Sequence, residues 1–499
     1  MKRSHFPLSL LLGLTLLLSP AAPAAFLIFP EDGRPLEGDV KLAVEAYQRG
    51  DLARAVTLFT KEAYLNNRDA QFAMGRLHEE GAGVPKSAEK AADYYTKAAK
   101  AGHPHAQANL AILLINARRT AEGLNILRQS AEAGAPRSMA LLGNLLLTGT
   151  SIEKDVPAAK SWLEKAAAKA DPEALASLSM MYETGQGVDP DPDKAFQLLN
   201  EAAQKNSVKA LLRLALKHAK GMGAPQDGEK AIGLLTRASN LGSTEAATTL
   251  GNLYETGDGI AKKPAEALIW FTKAATAGDS TAALKAGVLH AEGADGVPKN
   301  DTTAIEWFHL AAKGGQTVAM FNLGTYYEKG RGIPADPAEA IKWHLQAALG
   351  GLSLAQREVG LRYREGRGLK KDTVAALSWL SRAAGSGDAT GALTLAEMLL
   401  AGEGGLPPDP HNALAILTRA AELGLAPAQV RLAGLLASGT VGPPNLTRAY
   451  ALTLAARDDF EPALTLRAEL EKKMDKAQIA EARREFQKLQ SKPATPPAK

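Results

Sequence analysis

Ser87-Ala88-Glu89-Lys90 has the spacing in which a lysine takes the proton of a nucleophilic serine, the S-x-x-K arrangement of penicillin-interacting serine enzymes. That chemistry also needs S-D-N and K-T-G elements, and neither occurs in the 499 residues. His103 and His105 are close in sequence, as two ligands of one metal ion would be, but no carboxylate stands at ligand spacing beside them. His78, His218, His290 and the five Trp residues are the other side chains with obvious chemical potential. Cysteine is absent, which removes disulfides, thiolate metal sites and cysteine nucleophiles together. No Walker loop, G-x-S-x-G or H-E-x-x-H occurs.

What positions these residues is a repeat. A small residue following an apolar one marks Gly75, Ala111, Gly143, Ser179, Ala215, Gly251, Gly287, Gly324, Gly360, Ala396 and Ala433, every 36 or 37 residues except for one step of 32. A second landmark, a pair of small residues, begins at Ala98, Ser130, Ala166, Ala202, Ala238, Ala274, Ala311, Ala347, Ala383, Ala420 and Ala455, and keeps the same period. Residues 246–278 show the unit most cleanly. Apolar residues recur at helical spacing, and Gly257 and Gly259 punctuate the middle. Gly257 fits a left-handed cap ending helix A, and Pro264 fits the first turn of helix B. The small residue of helix A lets the two backbones approach. One pair cannot bury its apolar face alone, so the pairs must stack. Aromatic content of 5% argues against a β-sandwich in any case.

Leu250-Gly251, Tyr254, Gly257, Gly259, Ala267, Trp270 and Ala274-Ala275, with their counterparts in other copies, resemble the Sel1-like repeats, relatives of the tetratricopeptide repeats. The resemblance covers residues 69–463. It implies an all-α fold: a right-handed superhelical α/α solenoid of about eleven Sel1-like helix pairs with N- and C-terminal helical caps. It also implies a protein–protein interaction scaffold, since such proteins are mostly adaptors. Residues 105–136 depart from the pattern: they lack the Gly-x-Gly turn and are four residues short. The copy at 281–316 has one extra loop residue near Asp295. Residues 26–68 hold a linker and a capping helix pair, broken at Gly50-Asp51. Residues 464–490 read as one capping helix, and 491–499 as a disordered tail.

The register absorbs most of the chemical candidates. All five Trp residues (162, 270, 307, 343 and 379) lie four before the small pair, where other copies hold Tyr94, Ile126, Leu198, Leu234 and Ile416. This is a packing slot, and the Trp side chains are expected in the core. His78, His218 and His290 occupy the position of Tyr182, Tyr254, Tyr327 and Tyr363, too far apart to share a metal. Ser87 stands where helix B begins, so an N-cap role explains it. No catalytic residue, cofactor or metal is expected.

The surface left free is helix A, which lines the concave face in related arrays. Its variable positions lie one and five after the small residue and three before it. Phe321, Thr325, Lys329, Arg357, Leu361 and Glu365 are among them, with Tyr326 beside them and Arg362 and Arg364 adding charge. Phe321 and Leu361 are apolar where solvent is expected, the pattern of a binding anchor. Residues 328–371 hold nine bases and five acids, a net of +4, so a basic patch there could meet an acidic partner.

The whole chain also carries only +4, without the basic excess of a nucleic-acid binder. Residues 1–25 read as a signal peptide: Lys2 and Arg3, an apolar Leu8–Leu18, and Ala22-Pro23-Ala24 of cleavage-site form. Eleven helical residues rise only ~16 Å against a ~30 Å bilayer core, so no stable membrane insertion is expected after cleavage. Export is expected: periplasmic in a Gram-negative host, otherwise secreted. The sequence thus points to an exported adaptor for protein partners, serving an envelope sensor or cell-wall or polysaccharide assembly. The alternatives are a peptidoglycan or β-lactam hydrolase and a carbohydrate-binding module. Partner identity and oligomeric state stay open.

Overall fold

The computed structural model describes residues 37–490 except Pro104, Arg457 and Asp458. The signal-peptide and disordered-tail expectations lie outside the described residues. Among those described, twenty-six α-helices account for the regular structure apart from one short 3-10 turn at Glu403–Gly405. The chain divides into two units, residues 1–279 and 280–499.

Unit 1 opens with the pair Gly38–Gln48 and Leu52–Tyr64. Six further pairs follow: Arg68–Glu80 with Ala88–Lys100, Ala106–Asn116 with Thr120–Glu132, and Pro136–Thr148 with Val156–Ala168 are the first three. Pro172–Thr184 with Pro192–Gln204, Val208–Lys220 with Gly228–Asn240, and Thr244–Thr256 with Pro264–Thr276 complete it. Unit 2 holds five pairs: Ser280–Glu292 with Asp301–Lys313, Thr317–Lys329 with Pro337–Leu349, Ser353–Glu365 with Thr373–Gly385, Ala389–Ala401 with Pro410–Glu422, and Ala426–Ser438 with Leu446–Ala455. The stretch read as one C-terminal helix is two, Glu461–Glu471 and Lys476–Gln490. Asp475 stops the first reading: its side chain accepts from the Gln478 amide at 2.8 Å, starting a new helix there.

Local chemistry sets these boundaries. Gly257 ends its helix in the left-handed region at φ +79°, and Pro264 occupies the first position of the next. Side-chain oxygens of Asp155, Asp191, Asp227, Asn300 and Asp372 accept from amides three residues on, satisfying orphan donors at the starts of helix B. In the short copy Arg118 takes φ +63° where others use glycine, giving the tight A–B loop its sequence implies. The extra residue near Asp295 is taken up by an isolated antiparallel bridge, Ala294 to Val297.

The core mixes both helices of each pair, and its largest side chains include one residue from most B helices. Tyr95, Leu127, Leu163, Leu199, Leu235 and Phe271 in unit 1 are fully buried, as are Phe308 and Leu380 in unit 2. Each lies one residue after the Trp slot. The five Trp side chains are therefore half-buried, not in the core proper, which corrects the sequence expectation. One residue turns a helix by about 100°, enough to move a side chain from the seam to its edge. Lys165, Lys273 and Arg382 lie over the rings of Trp162, Trp270 and Trp379 at 4.5–5.0 Å.

Candidate functional site

Ser87 is an N-cap. Its hydroxyl accepts from the Lys90 amide at 3.2 Å, and Lys90 itself is exposed. Ser87→Ala is expected to lower stability by about 1 kcal/mol in chemical denaturation. Nitrocefin turnover should be no different before and after the change. Turnover that vanishes on substitution would instead make Ser87 a nucleophile.

The histidines in the tyrosine slot clamp the loop between helices A and B. Nδ1 of His78 pairs with the Pro85 carbonyl at 3.2 Å, and Nδ1 of His218 with the Pro225 carbonyl at 3.1 Å. The backbone carbonyls of the same residues accept from Ser87 and Asp227, which start helix B. His103 is buried, stacked on Phe72 at 4.0 Å, with Asp69 3.8 Å from Nε2. Asp69 is the carboxylate that the sequence window around His103 did not contain. Among the described residues no three metal-ligating side chains converge.

The nine residues singled out on repeats eight and nine do not form one open patch. Tyr326 is buried, with Arg331 over its ring at 4.4 Å and its hydroxyl donating to Asp301 at 3.2 Å. Phe321 is half-buried against the ring of His344, 4.9 Å away, and Leu361 is half-buried too. The Thr325 hydroxyl donates back to the Phe321 carbonyl at 3.2 Å. Arg362 is buried between Glu328 at 2.6 Å and Glu358 at 2.9 Å. Arg357 pairs with Asp388 at 2.9 Å, Arg364 with Glu403, and Glu365 with Arg367 at 3.5 Å. Lys329 and Glu365 are the exposed members.

The expected basic patch is largely neutralised. Asp301, Asp388 and Glu403 lie outside residues 328–371 yet pair with Arg331, Arg357 and Arg364 inside it. Burial pushes the Glu328 carboxyl up, but the hydrogen bond and charge of Arg362 together outweigh it and hold the group below the usual range. A side-chain hydrogen bond from Arg364 does the same for Glu403. These pairs tie neighbouring repeats together.

An open groove lies elsewhere on the helix A side of unit 2. A cavity of ≈ 610 Å³ is bounded by helices Ala389–Ala401, Ala426–Ser438 and Glu461–Glu471. Its apolar floor comprises Leu393, Pro427, Val430, Phe460, Pro462 and Leu466. Glu397, Arg431, Glu461 and Glu469 stand around it, all exposed. Leu393, Glu397, Val430 and Gly434 occupy the register positions three before and one after the small residue. The rule that selected Phe321 and Leu361 therefore also selects these four. What it lacked was the closing helix, which is not a repeat. Arg467 anchors that helix by donating to the Thr453 carbonyl at 2.5 Å, and Glu471 accepts from the Tyr450 hydroxyl at 2.6 Å.

A family model described as Sel1 repeat matches residues 68–103, 136–171, 172–207, 208–243, 244–279, 280–316, 317–352, 353–388, 391–425 and 426–458. It passes over the short copy, which packs as a helix pair but lacks the glycine turn. A crystal structure of a protective antigen present in uropathogenic Escherichia coli strains, displaying an SLR fold, is 27% identical. The match covers 91% of this chain and 92% of that one, with a TM-score of 0.50. A Sel1 repeat protein from Oxalobacter formigenes is 29% identical over 62% of this chain and 90% of its own, with a TM-score of 0.54. No curated protein matches the chain.

Proposed function

The chain belongs to the Sel1 repeat family, and from that premise we propose that it is an exported adaptor that holds a protein partner in the groove closed by helix Glu461–Glu471. Sel1-like solenoids commonly serve as protein–protein interaction scaffolds. The observation that carries the reading is the groove itself: an apolar floor, open to solvent, with fixed walls and charged residues at its edge. Solvated apolar surface of this kind gains from being covered.

Export rests on the composition of residues 1–25, and among the described residues no helix is long and apolar enough to cross a membrane. In a Gram-negative host the adaptor works in the periplasm. Control of an envelope sensor, or service in cell-wall or polysaccharide assembly, are the roles open to it there. Hydrolysis is disfavoured by the capping role of Ser87. Carbohydrate stacking is disfavoured by the cations that cover Trp162, Trp270 and Trp379.

In-cell photo-crosslinking tests the proposal. A photoreactive residue at Thr465, exposed at the edge of the groove, should give discrete protein adducts from an envelope fraction. The same residue at Leu349, exposed on a helix B, should not. Adducts from Leu349 alone, or from neither site, would defeat the reading.

A further inference from the structure

We infer that the groove selects a basic, apolar segment of its partner: a stretch with one or two large apolar side chains flanked by lysine or arginine. The inference rests on the reading of the groove as a protein interface and adds the chemistry of what fills it.

Size comes first. A cavity of ≈ 610 Å³ falls within the range of about 300–1,000 Å³ that holds a drug-sized molecule. It accommodates a few side chains, not a folded surface. The floor supplies Leu393, Val430, Phe460 and Leu466, with no charged group among them. An apolar side chain placed there leaves water and desolvates nothing costly.

Charge decides the flanks. Three carboxylates (Glu397, Glu461 and Glu469) and one guanidinium, Arg431, border the floor, a local net of −2. None of the four forms an ion pair with another described residue. This contrasts with repeats eight and nine of the same unit, where Arg362, Arg364 and Arg357 are each matched by carboxylates on adjacent repeats. The whole chain carries +4, so a net-acidic rim outside the ion pairs runs against its overall balance. Carboxylates around an apolar floor favour a cationic occupant and repel an acidic one. An anionic polymer or anionic membrane surface meets the same repulsion.

The walls are already in place. Pro462 begins the closing helix, and the hydrogen bonds of Arg467 and Glu471 hold it against helix Leu446–Ala455. Binding therefore needs no closure, which limits its entropic cost. Gly434 offers a way to block the groove without disturbing the fold. A Cβ built there meets nothing within 4 Å, so a larger side chain enters open space.

The test uses the full chain and three fluorescein-labelled nonapeptides, read by fluorescence anisotropy. One alternates lysine with leucine and phenylalanine, one has glutamate in place of lysine, and one has glycine in place of the apolar residues. The first should bind saturably and at least tenfold more tightly than the other two. Glu397→Gln and Glu461→Gln should each weaken it about 2–5-fold, the range of exposed charge pairs. Raising ionic strength should erase that difference. Gly434→Leu should abolish binding while circular dichroism remains native. Equal or tighter binding of the glutamate peptide, or binding that survives Gly434→Leu, would overturn the inference. If the glutamate peptide wins and crosslinks still form at Thr465, the interface stands and only its charge preference falls. If no peptide binds and no adduct forms, both fall.

Discussion

Replacing Gly251 by Val should lower the stability of unit 1 by about 3 kcal/mol, measured by urea denaturation followed by circular dichroism. A Cβ at Gly251 would meet ring carbons of Phe271 at 2.4 and 2.5 Å, and Phe271 is fully buried. Glycine within a helix ordinarily costs up to about 1 kcal/mol relative to alanine. Its use here means that close approach outweighs propensity. The other repeats show the same logic. Aromatic or imidazole rings in the deep slot, Tyr95, Phe271, Phe308 and His344, each face a glycine: Gly75, Gly251, Gly287 and Gly324. Where helix A carries Ala111, Ser179, Ala215 or Ala396 instead, the deep residue is Leu127, Leu199, Leu235 or Leu417. Gly251→Ala combined with Phe271→Leu should accordingly be more stable than the sum of the two single changes predicts, by about 1–2 kcal/mol of coupling. Strict additivity would show that the two positions do not constrain one another.

His344→Leu should stabilise unit 2 by about 1–3 kcal/mol at neutral pH, the cost of burying an unpaired polar group. His344 is 1% exposed, and neither ring nitrogen has a hydrogen-bond partner. Glu328 lies 3.8 Å from Nε2, too long for a hydrogen bond. Leucine is the commonest occupant of the slot, and Leu380 already packs there against a glycine, Gly360. The change should also alter the pH dependence. Burial first, and then the positive charge of Arg362, push the imidazole below its ordinary range; Glu358 and Glu328 oppose this, and Arg367 adds to it. The unfolded chain takes up the proton near pH ~6.5, whereas the folded chain takes it up only at lower pH. Between those values the unfolded state binds more protons, so stability falls as pH drops below ~6.5 and is full above it. His309 and His290 shift in the same direction and will leave a residual slope. Thermal melts from pH 7 to pH 5 should therefore be flatter for His344→Leu. An unchanged slope, or a less stable variant, would show that the imidazole is satisfied where it sits.

The periodic part of the molecule was legible because its causes are local. Ser87 and Asp191 cap the residues that immediately follow them, and Gly257 turns the chain where it stands. The helix A glycine and the deep residue of helix B, three before the small pair, meet across a single loop. Each contact recurs at a fixed distance along the chain, so two landmarks sufficed for the helices and their pairing. The one misread boundary, at Asp475, lies outside the repeat. His344 is legible too, as the one imidazole in a slot of Leu, Phe and Tyr, once the register is counted one residue after the Trp position.

What the residues of this protein determined by themselves is a stack of helix pairs, the turns between them, and the structural employment of Ser87, His78 and His218. Tertiary structure decided three things. It placed Phe271 rather than Trp270 in the seam, a matter of rotation about the helix axis. It cancelled the charge of repeats eight and nine with Asp301, Asp388 and Glu403, which stand 30 to 39 residues from their arginines. And it placed helix Glu461–Glu471 across an open groove from Leu393 and Val430, with three carboxylates outside any ion pair around an apolar floor. Periodicity carries information about contacts that repeat. Charge balance and groove closure depend on contacts made once, and those are fixed only when the chain has folded.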